Sequence, residues 1–194
     1  MVIDRYPSLP ADRVLAAATG VYRRAFAEPP YGEGEEQVDE FVARVLRCAD
    51  RPGFRLTLCR RDECVVGMAL SVHARAGDWW RDRVADALGP AESIRWLEPV
   101  IREVIHVATD PGARRCGVGR MLTEDTLDDR DVASVVLSCH PNAPAARALY
   151  ESCGFQTLLD DFRAAPGQPG FLLMARAVAG SLSGPGSNPG TRPA

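Results

Sequence analysis

The sequence of 194 residues contains no lysine, and all 23 of its basic residues are arginine. The phosphate loop of a nucleoside triphosphatase ends in Gly-Lys-Ser or Gly-Lys-Thr, so this absence excludes that class of site. The net charge of −3 argues against a nucleic-acid-binding protein with a basic surface. No apolar run is long enough to cross a membrane, and Asp4, Arg5 and Pro7 interrupt the apolar core that a signal peptide would need.

The six cysteines and three histidines show no spacing that is typical of a metal site or a disulfide framework. No Cys-x-x-Cys pair occurs, and no Ser–His–Asp or Cys–His combination has the spacing of a catalytic triad. We therefore expect free thiols, no metal and a cytoplasmic location, where thiols stay reduced.

The apolar patterns predict one mixed α/β (α+β) domain over residues 1–178, and an apolar fraction of 46% suffices for its core. Strands are expected at 2–6, 54–59, 64–73, 103–109, 132–139, 155–159 and 171–178. Helices are expected at 11–27, 35–49, 79–88, from 120 to about 128, and after Asn142. Residues 179–194 are rich in Gly, Pro and Ser, which predicts a disordered tail.

The most informative segment is Arg114-Arg115-Cys116-Gly117-Val118-Gly119, which lies between the strand at 103–109 and a helix. The free N–H groups and the positive dipole end of a helix N-terminus favour a phosphate at such a place. Gly117 and Gly119 let the backbone approach a ligand without a Cβ in the way. Arg114 and Arg115 add charge that attracts phosphate.

Two known patterns compete to describe this loop. A dinucleotide-binding fingerprint needs a third glycine three residues after Gly119, where the sequence has Leu122. The pattern Arg/Gln-x-x-Gly-x-Gly/Ala, in contrast, is matched in full by residues 114–119. That pattern resembles the pyrophosphate loop of the GNAT N-acetyltransferase superfamily, whose members bind acetyl-CoA.

A second segment, residues 142–155, strengthens the resemblance. The family typically shows an asparagine, an alanine-rich helix, Leu-Tyr and then Gly-Phe, and Leu149-Tyr150 and Gly154-Phe155 have that spacing. Asn142 lies one residue further from Tyr150 than is usual, so it either contacts the cofactor or caps the helix. The resemblance covers about residues 2–178, although its specific motifs lie within 103–155.

The resemblance implies a GNAT-like mixed central sheet flanked by helices, in which the strands at 103–109 and 132–139 splay apart at their C-terminal ends. The pantetheine arm of the cofactor would lie in that gap and pair with the free edge of the first strand. The residues that the resemblance assigns to acetyl-CoA are Val107, Ala108, Thr109, Arg114, Arg115, Cys116, Gly117, Val118, Gly119, Arg120 and Asn142.

Acetyl transfer to an amine needs an acid that protonates the leaving thiolate. Tyr150 occupies the tyrosine position of the family's Leu-Tyr pair and is our candidate for that acid. The alternative is that Tyr150 only packs over the cofactor sulfur and orders it.

The same reaction needs a base that removes a proton from the amine. Glu103 is our candidate, because some family members carry a glutamate at the matching place; the alternative is a surface glutamate paired with Arg102 or Arg95. Regular strand alternation puts Glu103, Ile105 and Val107 on one face and His106 on the other, unless a bulge intervenes. His106 and His140 are the other candidates.

We therefore expect an enzyme that moves an acetyl group from acetyl-CoA directly to a primary amine of a small molecule or peptide, in a ternary complex. The family usually binds its acceptor with segments that correspond here to residues 26–40 and 78–96. The acidic residues around Tyr31 are either an approach for a cationic amine or a favourable first turn of a helix.

Three other functions stay open. These are transfer of a longer acyl group or transfer to a hydroxyl, a catalytically silent CoA-binding module, and a binder of some other nucleotide. Dimers are common in the family, so a homodimer is an option, whereas no nucleic-acid or membrane partner is expected.

Overall fold

A seven-stranded sheet organises residues 1–178, which are the residues described in this computed structural model. In chain order the strands are β1 (Val2–Tyr6), β2 (Arg55–Arg61), β3 (Cys64–Ala74), β4 (Ile101–Thr109), β5 (Ser134–Cys139), β6 (Gln156–Phe162) and β7 (Phe171–Ala177). Their order across the sheet is β1-β2-β3-β4-β5-β7-β6. Neighbours are antiparallel except for β4 and β5, which are parallel. The predicted tail at 179–194 lies outside the described residues.

Helices cover both faces of the sheet. They are α1 (Asp12–Phe26), α2 (Glu35–Cys48), α3 (Trp79–Leu88), α4 (Pro90–Leu97), α5 (Val118–Leu127) and α6 (Pro144–Ser152). The apolar stripes of α1 to α4 pack on one face, whereas α5 and α6 pack on the other. The sequence analysis predicted no helix at α4. This helix begins at Pro90, and a proline at the first helical position loses no hydrogen bond.

The two central strands, β4 and β5, separate toward their C-terminal ends. Pairing between β4 and β5 is confined to Ile101–Val104 and Ser134–Leu137. Beyond these residues, β4 pairs only with β3, and β5 pairs only with β7. The edge of β4 that faces the gap therefore carries backbone N–H and C=O groups without a strand partner. The expected splay of the central strands is confirmed.

A β-bulge in β4 changes which side chains share a face. Leu70 of β3 pairs with His106 and the next residue, Ser71, pairs with Val104, so that Ile105 is an extra residue. Glu103 pairs with Val72. Cross-strand partners lie on the same face, and Leu70 and Val72 both belong to the core under α1 and α2.

Glu103 and His106 consequently face the same layer of helices. The prediction from regular alternation, which put Glu103 with Val107 and opposite His106, was wrong because the bulge shifts the alternation by one residue. Val107 packs instead against the core beneath α5.

Gly67 of β3 explains how α5 comes to lie close over the sheet. A Cβ at this position would lie 2.4 Å from Val118 Cγ1 and 2.9 Å from Leu122 Cδ1. The pairing of β2 with β3 also shifts register beside it, between Cys59 and Arg60. Close packing and an irregularity in strand pairing therefore occur together at Gly67, and the close packing places the start of α5 beside β4.

Candidate active site

A cleft of about 830 Å³ opens beside the free edge of β4. Its walls come from the end of β4, the loop before α5, the first turn of α5 and one face of α6. The predicted cofactor residues that line it are Val107, Ala108, Thr109, Arg114, Arg115, Gly117, Val118, Gly119, Arg120 and Asn142. Cys116 is exposed and does not line the cleft, so it is the one predicted cofactor residue that the structure leaves out.

The N-terminus of α5 meets the cleft without a capping side chain. Gly117, the residue before the helix, has a left-handed conformation with φ of 84°. The Met121 N–H donates to the Gly117 carbonyl over 3.0 Å and closes the first helical turn. The N–H groups of the preceding residues, 118–120, have no carbonyl one turn earlier in the helix, and such a terminus binds anions.

The two glycines of the loop do different things. A Cβ at Gly117 would meet no atom within 4 Å, so its surroundings are open and only its φ demands glycine. A Cβ at Gly119 would lie 2.9 Å from Leu149 Cδ2 and 3.6 Å from Thr109 Oγ1. Gly119 therefore lets α5 pack against α6, in addition to the predicted role of clearing space for a ligand.

Two arginine side chains that line the cleft already have partners. Arg114 Nη1 donates to Glu28 Oε2 over 2.6 Å, and Arg114 Nη2 donates to the Ala25 carbonyl over 3.4 Å. Arg120 Nη2 donates to Ser152 Oγ over 3.0 Å. A phosphate that binds Arg114 therefore competes with the carboxylate of Glu28.

A smaller cavity of about 350 Å³ adjoins the cleft. The residues that line both spaces are Phe26, Pro30, Tyr31, Val107, Ala146 and Tyr150. The smaller cavity continues past them to Glu33, to His106 on β4, to residues 138–140 at the end of β5, and to Phe171. Tyr150 thus lies where the two spaces meet.

Tyr150 has the properties of a proton donor. Its side chain is buried on α6 and its ring packs against Phe155, with centroids 5.7 Å apart. Burial raises the pKa of Tyr150, and the neighbouring Cys139 and Tyr31 raise it further. The phenol therefore keeps its proton at neutral pH, at the junction of the two spaces.

Glu103 lines neither space. Its carboxylate is buried and lies 3.4 Å from Arg51 Nη2. The predicted alternative, a surface glutamate paired with Arg102 or Arg95, was therefore wrong. Those two arginines pair with Asp129 and Glu92. Burial raises the pKa of Glu103, and Arg51 opposes that shift. The structure does not bring Glu103 and Tyr150 into one cavity.

His106 lines the smaller cavity but is a poor base. Burial, together with the nearby charge of Arg44, lowers the pKa of His106 to about 3. Its ring lies edge-on to Tyr22 and Phe41, with centroids 5.2 Å and 5.6 Å away. Within residues 1–178, its buried Nε2 has no hydrogen-bond partner.

His140 also lines the smaller cavity, between Tyr31 and Phe171. The Asn142 N–H donates to His140 Nδ1 over 3.1 Å. This bond assigns the ring hydrogen of the neutral imidazole to Nε2, which is then a donor. The helix cap before α6 is Ala143, so the interpretation of Asn142 as the cap was wrong, and Asn142 lines the cleft instead.

Glu33 is a site residue that the sequence indicated only as part of an acidic segment. The Tyr22 hydroxyl donates to Glu33 Oε2 over 2.5 Å. The Glu33 N–H donates to the Phe26 carbonyl over 2.9 Å and closes the loop between α1 and α2. The one signal for Glu33 was its place in that loop, since no motif marks it.

The six cysteines are free, and Cys64 and Cys116 are exposed. Burial raises the pKa of Cys139, which lines the smaller cavity, to about 11, so that this sulfur stays a thiol at neutral pH. None of the helices in residues 1–178 is both long and apolar enough to span a bilayer. The same residues contain no group of three or more His, Cys, Asp or Glu side chains placed to hold a metal ion.

Known proteins share this architecture. The sequence model of the acetyltransferase (GNAT) family matches residues 18–155. The [ribosomal protein bS18]-alanine N-acetyltransferase of Salmonella typhimurium is 44% identical over 55 residues, or 27% of this chain. That match spans 37% of the length of the Salmonella enzyme.

Two solved structures show the same fold. The ribosomal-protein-S18-alanine N-acetyltransferase of Escherichia coli matches with a TM-score of 0.59 and 20% identity, over 96% of this chain and 99% of that chain. The protein yncA of Salmonella typhimurium, solved with its cofactor acetyl-CoA, matches with a TM-score of 0.56 and 17% identity. The second match covers 92% of this chain and 95% of that chain.

Proposed function

The chain belongs to the acetyltransferase (GNAT) family and is therefore an acyltransferase, and we propose that it transfers an acetyl group from acetyl-CoA to a primary amine. The observation that carries this proposal is the meeting of two spaces at Tyr150, one with an anion-binding helix terminus and one with a carboxylate. Direct transfer requires that donor and acceptor reach one another, and a shared opening provides for that.

The residues of the cleft fit the chemical parts of acetyl-CoA, which supplies the acetyl thioester. The uncapped N–H groups at residues 118–120 suit its diphosphate. The free edge of β4 at Val107 to Thr109 offers N–H and C=O groups to the amides of its pantetheine arm. The open surroundings of Gly117 leave room for the approach of the phosphates.

Tyr150 serves in this proposal as the general acid. The thiol of CoA has a pKa of roughly 8.5 by analogy with cysteine, so protonation makes its thiolate a better leaving group. The pKa of Tyr150 is raised by burial, so the phenol is protonated at neutral pH when it meets the departing sulfur. Cys139 is a thiol at neutral pH, which disfavours an acetyl-cysteine intermediate and supports direct transfer.

We keep Glu103 as the proposed base, but only with a bound water molecule that passes the proton to it. Because it lines neither space, its carboxylate reaches the amine only through bound water. Burial has raised its pKa, which makes it a better proton acceptor than an exposed glutamate.

For the acceptor, we propose the amino-terminal amine of a peptide or protein before that of a small molecule. The Salmonella relative and the E. coli structural neighbour are both named for the acetylation of an alanine of a ribosomal protein. The small volume of the second cavity, about 350 Å³, suits one terminal residue.

The test is release of free thiol from acetyl-CoA in the presence of a panel of peptides with free N-termini, amino-acid amides, polyamines and aminoglycosides. We expect turnover with at least one amine and none without an acceptor. Tight CoA binding without turnover on any amine would identify a silent binding module instead. Parallel reactions with longer acyl-CoA thioesters and with alcohols test those alternatives, and a larger rise in Tm with ATP or NAD than with CoA would favour a different nucleotide.

A further inference from the structure

The lining of the smaller cavity is acidic. Glu33 is the one carboxylate among its lining residues in the described part of the chain, and no arginine is among them. Its walls include the rings of Phe26, Tyr31 and Phe171. A single negative charge with aromatic walls favours one cation, since aromatic faces attract ammonium groups.

We infer that this cavity recognises an α-amino group together with the carbonyl oxygen beside it, with Glu33 binding the ammonium and His140 donating to the carbonyl. The inference rests on the proposed function and assigns residues to its acceptor side. Glu33 and His140 act here as specificity-determining residues.

The position of Glu33 is fixed from two sides. Its backbone N–H is held by the Phe26 carbonyl, and its Oε2 accepts the hydrogen bond of the Tyr22 hydroxyl. Burial and the adjacent carboxylate raise the pKa of Tyr22, so the phenol stays a donor. Tyr22 itself stacks on Phe41 with a centroid distance of 4.3 Å. The second oxygen of Glu33 is thus presented by a rigid support, which suits a charge-assisted bond to an ammonium group.

His140 supplies a donor rather than a base. Its Nδ1 lone pair is occupied by the Asn142 N–H, so the ring hydrogen resides on Nε2. The rings of Tyr31 and Phe171 lie edge-on to it, 5.7 Å and 5.9 Å away, and hold the imidazole in the wall of the cavity. An N–H donor and a carboxylate in the lining of one cavity match the carbonyl oxygen and ammonium at the start of a peptide.

His106 also lines the cavity, but within residues 1–178 its buried Nε2 has no hydrogen-bond partner. Because Nε2 is itself buried, that atom offers no contact to an acceptor. Recognition in the cavity therefore depends on Glu33 and His140.

Two acceptors, one with a carbonyl beside the amine and one without it, separate the contributions of Glu33 and His140. Alaninamide carries an α-amine and a carbonyl, whereas propylamine carries an amine alone. Glu33→Gln should raise KM for both amines by roughly tenfold, the size expected for a lost charge-assisted bond, and leave KM for acetyl-CoA within about twofold. Glu36→Gln removes an exposed carboxylate of α2 outside both cavities and should leave all three constants unchanged.

His140→Phe keeps an aromatic ring between Tyr31 and Phe171 but removes the donor. It should raise KM for alaninamide by about fivefold to tenfold and leave KM for propylamine within about twofold. His140→Gln retains an N–H at the end of the side chain and should recover part of the alaninamide affinity. Thermal unfolding of each variant with and without CoA verifies that the cleft is intact.

The proposed function and the inference about Glu33 and His140 are overturned by different results. Absence of turnover by the wild-type enzyme on any amine overturns the proposed function and this inference together. Turnover with an unchanged amine KM in Glu33→Gln overturns the inference alone. An equal effect of His140→Phe on both amines overturns the assignment of the carbonyl to His140, whereas the pattern given above supports it.

Discussion

The cleft and the smaller cavity differ in the groups that form them. The cleft includes several backbone features: the free edge of β4, the uncapped start of α5 and the glycines at 117 and 119. The smaller cavity is lined by residues of α1, the loop after it, β4, the end of β5, α6 and the start of β7, and its charged and aromatic groups are side chains. A backbone site serves every member of a fold that uses the same cofactor, whereas a side-chain site changes with each substituted residue.

The largest expected effect tests Tyr150, which belongs to both spaces. Tyr150→Phe should lower kcat by roughly a hundredfold, the usual contribution of one general acid, with little change in KM for acetyl-CoA. Steady-state kinetics measure both constants. Tyr6→Phe, on β1 and outside both spaces, is the control and should keep wild-type kcat. An unchanged kcat in Tyr150→Phe would assign the ring a packing role.

The backbone character of the cleft is tested by its two glycines. Gly119→Ala places a Cβ against Leu149 and should lower the free energy of unfolding by about 1–3 kcal/mol. In the Leu149→Ala background, which has room for that Cβ, Gly119→Ala should cost less. Gly117→Ala should cost roughly 1–2 kcal/mol through its left-handed φ in both backgrounds. Urea unfolding of the two glycine variants, measured against wild type and against Leu149→Ala, distinguishes the two causes, and an equal reduction of both costs by Leu149→Ala would contradict them.

The side-chain character of the smaller cavity predicts a pH dependence of stability. The pKa of His106 is about 3 in the folded protein and near 6.5 in the unfolded chain, so the unfolded state takes up the proton first as the pH falls. Stability from this residue is therefore full above about pH 6.5 and is lost as the pH falls toward 3. Between pH 7 and pH 5 the loss should be about 2 kcal/mol.

Replacement of His106 by leucine removes the titrating group and should remove that part of the pH dependence. Urea unfolding of wild type and His106→Leu at pH 7, 6 and 5 measures it. Parallel slopes in the two proteins would show that other groups cause the dependence.

The smallest expected effect concerns the charge at the mouth of the cleft. Glu28 competes with phosphate for Arg114, so Glu28→Gln should tighten CoA binding by about twofold, in line with the weak energy of exposed ion pairs. Calorimetric titration with CoA at low salt measures the Kd. Glu36→Gln provides the control for a lost surface charge, and weaker CoA binding in Glu28→Gln would contradict the competition.

The contrast between backbone features and side-chain contacts also explains which parts of the structure the sequence predicts. The loop at 114–119 and the Gly154-Phe155 turn were readable because backbone geometry demands glycine at fixed spacings. The paired strands and α1, α2, α3 and α5 followed from the apolar patterns, whereas α6 followed from the alanine-rich segment of the family resemblance.

Features that depend on tertiary contacts were not readable. The bulge at Ile105 leaves no residue signature, and it reversed the predicted placement of His106 relative to Glu103. Glu33 becomes a cavity residue only because Tyr22, eleven positions earlier, lies beside it in space. The partner of Glu103, Arg51, is 52 residues away along the chain.

The short ladder between β4 and β5 has a mechanical consequence. The sheet consists of a four-stranded part and a three-stranded part, and the pairing of Ile101–Val104 with Ser134–Leu137 is the hydrogen-bonded seam between them. Residues 104–107 of β4 and 137–139 of β5 line the smaller cavity together, so a molecule bound there touches both parts and its binding free energy also stabilises their association. Occupancy of that cavity is then coupled to the stability of the whole domain.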